Sequence, residues 1–108
     1  MADGDSWLPG TEQDFADLCE KWDDGLGDPA NTTAFGWNPA EVASTKTPVH
    51  GFLAARTAYE KDNSTRNRII KDEAKEAAKA AMRDFANTSI RHNKLMQEED
   101  KRNYGIHT

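Results

Sequence analysis

The sequence predicts an all-α protein, an antiparallel helical bundle built on a long helical hairpin. Two observations support this fold class. Apolar residues recur at helical spacing in three long segments, and residues that favour the starts and ends of helices stand between them. The chain has 108 residues, the size of one ordinary domain. We therefore expect about three main helices and a short C-terminal helix around a single core.

The N-terminal part predicts an arm over residues 1–10, followed by one helical-bundle domain over residues 11–108. The first helix begins at Thr11, since a hydroxyl followed by acidic residues suits the free amides of a first turn. Gly27 and Pro29 end it, and a loop is predicted from Asp28 to Trp37. One apolar face runs along this helix: Phe15, Leu18, Cys19, Trp22 and Leu26.

The second helix is predicted to start at Asn38, with Pro39 in its first turn, and to run to the turn at 62–65. Pro48 interrupts its apolar stripe. A proline there removes a backbone hydrogen bond and clashes with the preceding turn. Either the helix kinks near Ser44, or it restarts with Thr47 as its cap. The apolar phase is kept across the proline, which favours the kink.

The third helix is predicted to be the longest, about 30 residues from Thr65 to Met96, with an alanine-rich stretch that lets a neighbouring helix approach closely. A short helix over 97–102 follows. Gly105 and Ile106 then match the pattern of a Schellman stop, in which glycine adopts the left-handed conformation just after the helix.

The helices differ in length, and this predicts an uncovered surface. The first helix spans about 22 Å, whereas the hairpin of the next two spans roughly 35–45 Å. The arm, the short last helix or a second molecule could cover the remainder. Ile69 and Ile90 point away from the main apolar sector of the third helix and are candidate contact residues. We expect a symmetric homodimer; another protein or a following domain is the alternative partner.

All three tryptophans lie within the first 37 residues, and they have two interpretations. They could fill one end of the hairpin as a core plug, which suits a large aromatic residue in a small domain. Alternatively, they could form a platform that binds a small molecule or a sugar. The candidate platform consists of Trp7, Trp22, Phe35, Trp37 and Arg56. For Arg56, pairing with a carboxylate of the acidic first helix is the competing expectation.

Signatures of catalysis, cofactor binding and metal binding are missing from the sequence, so we expect no enzyme, no cofactor and no metal. None of the three histidines follows a glutamate at the spacing used in helical metal sites. No nucleophile motif or glycine-rich phosphate loop occurs. Cys19 is the only cysteine; it lies on the apolar face of the first helix, where a buried, inert thiol is expected.

The charge distribution bears on partners and location. Residues 1–63 carry 12 acidic and 4 basic side chains, and residues 64–108 carry 7 and 10. Acidic residues interrupt the basic half, which makes nucleic-acid binding through it the weakest functional alternative. No apolar run has the length of a membrane span. The acidic start lacks the apolar segment of a secretory signal, so we expect a cytoplasmic protein without membrane contact.

Three stretches resemble a family of uncharacterised bacterial proteins. They are Arg83–Phe85, Ile90–Asn93 and Glu99–Ile106; a looser match covers Phe52–Tyr59. Members of that family have an N-terminal helical domain that is often followed by a fibronectin-like β-sandwich. The resemblance implies an α-helical fold and a following β-sandwich domain, but no activity.

The leading functional interpretation is therefore a non-enzymatic interaction or assembly module that self-associates. A ligand-binding domain that uses the tryptophan-rich end is the alternative.

Overall fold

The protein folds as an all-α bundle, which confirms the predicted fold class. The structure, a computed structural model, describes residues 7–106, so the first six residues of the expected arm lie outside the described part. Within it a π-helical turn, Ala86–Ile90, follows directly on the fourth α-helix. The α-helices are α1 (Glu12–Gly27), α2 (Pro29–Phe35), α3 (Pro39–Lys61), α4 (Thr65–Phe85) and α5 (Glu98–Asn103).

Three helices form the body of the molecule, and α3 and α4 make the expected hairpin. Helix α1 runs antiparallel to α3, since Asp23 contacts Lys46 whereas Gln13 contacts Arg56. It runs parallel to α4, since Glu12 contacts Lys71 and Cys19 contacts Met82. The helices lie side by side, and the molecule measures 45 × 33 × 19 Å. One face of the hairpin is thus packed against α1.

The helix starts and the final stop follow the predicted side-chain chemistry. The side chains of Thr11, Asn38 and Ser64 each accept a hydrogen bond from a backbone amide of the following first turn. At the C-terminal end the amide of Ile106 donates to Lys101, and that of Gly105 donates to Arg102. Gly105 has φ of +80°, so the Schellman stop is confirmed.

The loop predicted from Asp28 to Trp37 is wrong, because most of it is helix α2. The Asp28 carboxylate accepts from the amide of Ala30, and Pro29 occupies the first turn. This is the same combination that starts α3 at Asn38 and Pro39. Gly36 ends α2 with φ of +64°. The sequence contains both helix signals, the start at Asp28 and Pro29 and the stop at Gly36. Only seven residues lie between Asp28 and Gly36, so the helix is short.

Helix α3 continues without a break through Pro48. The alternative of a restart capped by Thr47 is therefore wrong. The Thr47 hydroxyl instead donates to the carbonyl of Ala43, one turn earlier in the same helix. Packing of the α3 face against α1 and α4 outweighs the hydrogen bond that proline cannot donate to Ser44.

The end of α4 differs most from the expectation. The helix was predicted to reach Met96, but it changes to a π-helical turn after Phe85, in which the amide of Arg91 donates to Ala86. A π turn advances each residue by a smaller angle than an α turn, which rotates the residues after it. Ile90 is fully buried as a result. The expectation that Ile90 lies on a back face is wrong.

The predicted length mismatch is present at one end of the hairpin. Helix α1 begins beside Lys71 and Arg56, so residues 57–70, the hairpin tip, extend beyond it. At the opposite end Trp7 and Tyr104 pack against α1, and they provide the cover that was expected from the arm and the last helix.

Replacing Pro48 by alanine tests the cost of the internal proline. Pro48→Ala restores the amide that can donate to Ser44, so we expect the free energy of unfolding to rise by about 1–3 kcal/mol in urea titrations. Pro39→Ala is the matched control, since an amide in the first helical turn has no intrahelical acceptor. It should leave stability unchanged or slightly lower it. An equal effect of both substitutions would contradict this explanation.

Candidate functional site

The aromatic residues singled out in the sequence meet at one end of the molecule. Trp7 stacks on Trp22 with ring centroids 5.8 Å apart and planes inclined by 16°. Tyr104 of the C-terminal segment presents an edge to Trp22 at 5.5 Å and to Trp37 at 5.8 Å. Phe35 lies against Trp37 at 5.1 Å. We call Trp7, Trp22, Phe35, Trp37, Phe85 and Tyr104 the aromatic cluster.

Two indole N–H groups of the aromatic cluster donate hydrogen bonds to backbone carbonyls. The indole of Trp22 donates to the carbonyl of Tyr104 at 3.0 Å, and that of Trp37 donates to the carbonyl of Ser89 at 3.1 Å. Both rings are buried, whereas Trp7 and Phe35 are half-buried. The ring faces of Trp22 and Trp37 thus pack against other side chains, and their N–H groups donate to backbone carbonyls. A core plug requires both.

Arg56 does not join the aromatic cluster. Its guanidinium donates to the side-chain oxygen of Gln13 at 2.6 Å and lies 3.9 Å from the Glu60 carboxylate. Gln13 precedes Trp22 by nine residues, or about 13 Å along α1. The expected α1 partner was a carboxylate, but the residue that faces Arg56 is an amide. The five residues of the candidate platform are therefore divided between two places.

Tyr104 requires a glycine where it approaches α1. A Cβ atom at Gly25 would overlap the hydroxyl of Tyr104, and two ring atoms would lie only 2.8 Å from it. Burial raises the pKa of this hydroxyl to about 12, with smaller contributions from Asp100 and Asp28. The close contact joins residues 79 positions apart, which no local pattern in the sequence reveals.

Gly25→Ala should destabilise the protein by about 1–3 kcal/mol, because the added methyl group displaces a ring that Trp22 and Trp37 hold from two sides. Gly51→Ala is the matched control: Gly51 also lies inside a helix, and its Cβ would meet nothing within 4 Å. That substitution should stabilise by about 0.5–1 kcal/mol through helix propensity alone. Urea titration of both variants is the measurement, and stabilisation by both would contradict the proposed contact.

Cys19 is buried and unsuited to nucleophilic chemistry. Its exposed fraction is 0%, and its thiol contacts the sulfur of Met82 at 3.9 Å. Burial, with a smaller effect of the nearby Asp23 charge, raises the pKa of the Cys19 thiol to about 12. The thiolate is the reactive form. The prediction that the Cys19 thiol is buried is confirmed.

Asp23 is the most connected carboxylate between α1 and α3. Lys46 donates to one of its oxygens at 2.7 Å, and His50 lies 3.2 Å from the other. Desolvation alone would raise the Asp23 pKa, but the hydrogen bonds and charges of Lys46 and His50 outweigh it, and the pKa lies below its ordinary value of 3.8. This contact joins the C-terminal half of α1 to α3.

The lowered pKa of Asp23 makes stability depend on pH. Because the unfolded chain binds this proton more readily, the stabilisation is fully present above the unfolded value of 3.8 and is lost as pH falls through the lower folded value. Asp23→Asn should therefore flatten the acid limb of stability against pH, measured by urea titration at several pH values. The exposed neighbour Asp24 supplies the control; a profile that flattens equally in Asp24→Asn would contradict the assignment.

The large exposed apolar side chains lie away from the aromatic cluster's centre. Ile69 is 48% exposed and Ile70 42% exposed in the first turns of α4, and Leu95 is 60% exposed in the turn before α5. Ile70 precedes Lys71, which pairs with Glu12 in the first turn of α1, so Ile70 lies at the edge of the surface that α1 covers.

Two packed helices leave a groove between them on each open side. At the C-terminal end of α4, the groove between α3 and α4 contains a cavity of about 530 Å³ that the sequence did not reveal. Ser44 lies two positions, about 160°, around α3 from Lys46, which contacts α1. The groove is therefore on the other side of the hairpin, and we call it the rear groove. The cavity is lined by Glu41, Ser44, Thr45, Ala81, Asp84, Phe85, Asn87 and Thr88.

Within residues 7–106, no three side chains of the His, Cys, Asp and Glu types are placed to hold a metal ion together. In the same part of the chain, no helix combines the length and apolar character that crossing a bilayer requires.

Comparisons of the chain with protein-family models, with curated proteins and with solved structures find no match in any of the three.

Proposed function

We propose that this protein is a non-enzymatic helical module that self-associates through the exposed face of its hairpin. The observation that carries the proposal is the pair Ile69 and Ile70, two large apolar side chains with 48% and 42% exposure in a stretch of α4 that α1 leaves uncovered. Burying exposed apolar surface of this kind stabilises association by about 25 cal/mol per Å² before the costs of ordering. The hairpin supplies the surface, and a second copy supplies the cover.

The tryptophan-rich end favours a structural role over ligand binding. Trp22 and Trp37 are buried, and their indole groups already donate to backbone carbonyls. A ligand would have to displace these contacts before it could stack. Arg56, the candidate recognition residue, is held by α1 and α3 elsewhere. We therefore place association on the hairpin.

The surroundings of Cys19 and Asp23 support a non-enzymatic role as well. Cys19 is fully buried, and its pKa is raised to about 12, so the thiolate is rare near neutral pH. Asp23, the carboxylate with a lowered pKa, is engaged by Lys46 and His50 in an ion-pair contact between helices.

Light scattering coupled to size-exclusion chromatography tests the proposal. At tens of micromolar the wild type should approach twice its monomer mass of 12.0 kDa, and the double variant Ile69→Glu with Ile70→Glu should elute at 12.0 kDa. Circular dichroism checks that the variant keeps its helix content. A wild-type protein that stays at the monomer mass at these concentrations would overturn the proposal.

A further inference from the structure

We infer that the second copy docks antiparallel on the rear groove, with Ile70 of each copy inserted into the cavity of the other. This inference rests on the proposed self-association and specifies its surface. Of the two exposed isoleucines, it assigns the contact to Ile70.

Helix periodicity places Ile70 on the rear groove and Ile69 outside it. Ile70, Ala77 and Ala81 follow one another at intervals of seven and four residues, which keeps them on one face of α4. Ala81 and Thr88 line the cavity. Ile70 therefore lies at the opposite end of the same groove. Ile69 is rotated by about 100° from it, on the outward face of α4.

The middle of this face is slim enough for close approach of a second helix. From Ile70 to the cavity the face presents alanine at position 77 and, in the cavity lining, at position 81. Ala77 stands midway between Ile70 and Asp84, which are separated by about 21 Å along the helix. A two-fold axis beside Ala77 would place each Ile70 opposite the other copy's Asp84, where the cavity is. One symmetry operation thus fills both cavities.

Charge selects the antiparallel orientation. Arg66, Asp84 and Glu41 have no ion-pair partner among residues 7–106, and Arg66 precedes Ile70 by one turn. In the antiparallel arrangement the guanidinium of Arg66 reaches the cavity end of the second copy, where Glu41 and Asp84 lie. A parallel arrangement would bring the two arginines together and the acidic ends together. Opposite charges across an interface steer association and fix its register.

The area agrees with a dimer of moderate affinity. From Arg66 to Thr88 the face covers 23 residues, a rise of about 33 Å, and is two helices wide. This corresponds to roughly 600 Å² on each copy, near the lower limit for stable interfaces. Association in the micromolar range is therefore expected, and sedimentation equilibrium can measure it.

The two isoleucines form a matched pair of variants. Ile70→Glu should remove the dimer at tens of micromolar, because the carboxylate would enter a cavity that already contains Glu41 and Asp84. Ile69→Glu should leave the dissociation constant unchanged within about threefold, since its side chain points out of the groove. Equal dissociation by both variants, or by neither, would overturn the assignment of the contact to Ile70.

A charge exchange tests the orientation independently of packing. Arg66→Asp alone and Asp84→Arg alone should each weaken the dimer by about tenfold or more. The double variant Arg66→Asp with Asp84→Arg should recover most of that loss, because the opposite charges meet again with exchanged signs. Additive weakening in the double variant would contradict the antiparallel register.

The outcomes separate this inference from the proposed function. A wild-type monomer at all accessible concentrations removes both. A wild-type dimer that is insensitive to Ile70→Glu and to the charge exchange leaves self-association standing and overturns the rear-groove docking. Circular dichroism and thermal unfolding of each variant identify loss of folding, and the recovery in the double variant cannot arise from unfolding.

Discussion

The hydrogen bond from the Trp22 indole to the carbonyl of Tyr104 joins the first helix to the last turn of the described chain, and much of the fold depends on it. A buried N–H group without an acceptor costs about 1–3 kcal/mol, so burial of Trp22 requires that carbonyl at that place. The Schellman stop at Gly105 turns the backbone to present it. Trp37 forms the second such bond, to Ser89 in the π-helical turn. Together the two indoles tie α1, the α2–α3 turn and the C-terminal segment around one end of the hairpin.

Closing one end of the hairpin in this way determines where the molecule can meet a partner. Trp7 and the C-terminal segment up to Ile106 cover the aromatic cluster, at the end of the molecule opposite the hairpin tip. Apolar surface therefore remains on α4 at Ile69 and Ile70. The proposed self-association follows because other parts of the chain cover one end of the long hairpin and leave apolar side chains exposed at the other end.

Most of the fold was predictable because its signals are local. Thr11, Asn38, Ser64 and Gly105 act within one helical turn, and the structure uses each as the sequence indicated. The sequence alone could not decide whether the helix continues or restarts at Pro48, since this depends on how α3 packs against its two neighbouring helices. Helix α2 was missed although Asp28 and Pro29 repeat the pattern that starts α3.

The candidate site was less predictable because it depends on contacts between distant parts of the chain. The π-helical turn has no sequence signature of its own, and its rotation buries Ile90. The contact between Gly25 and Tyr104 spans most of the sequence. Whether the tryptophans form a plug or a platform depends on the acceptors that their indoles find, and these are backbone carbonyls at Ser89 and Tyr104. Side-chain periodicity alone carries no information about them.

Hydrogen exchange of the indole N–H groups, followed by two-dimensional NMR after transfer to D₂O, tests the aromatic cluster most directly. The three tryptophans give three indole resonances. Trp22 and Trp37, assigned by substitution with phenylalanine, should exchange more slowly than in the unfolded chain by a factor on the order of 100 or more, since both are buried and hydrogen-bonded. Exchange of both indoles at the unfolded rate would mean that the end of the hairpin is open to water, and the account of a closed aromatic end would be wrong.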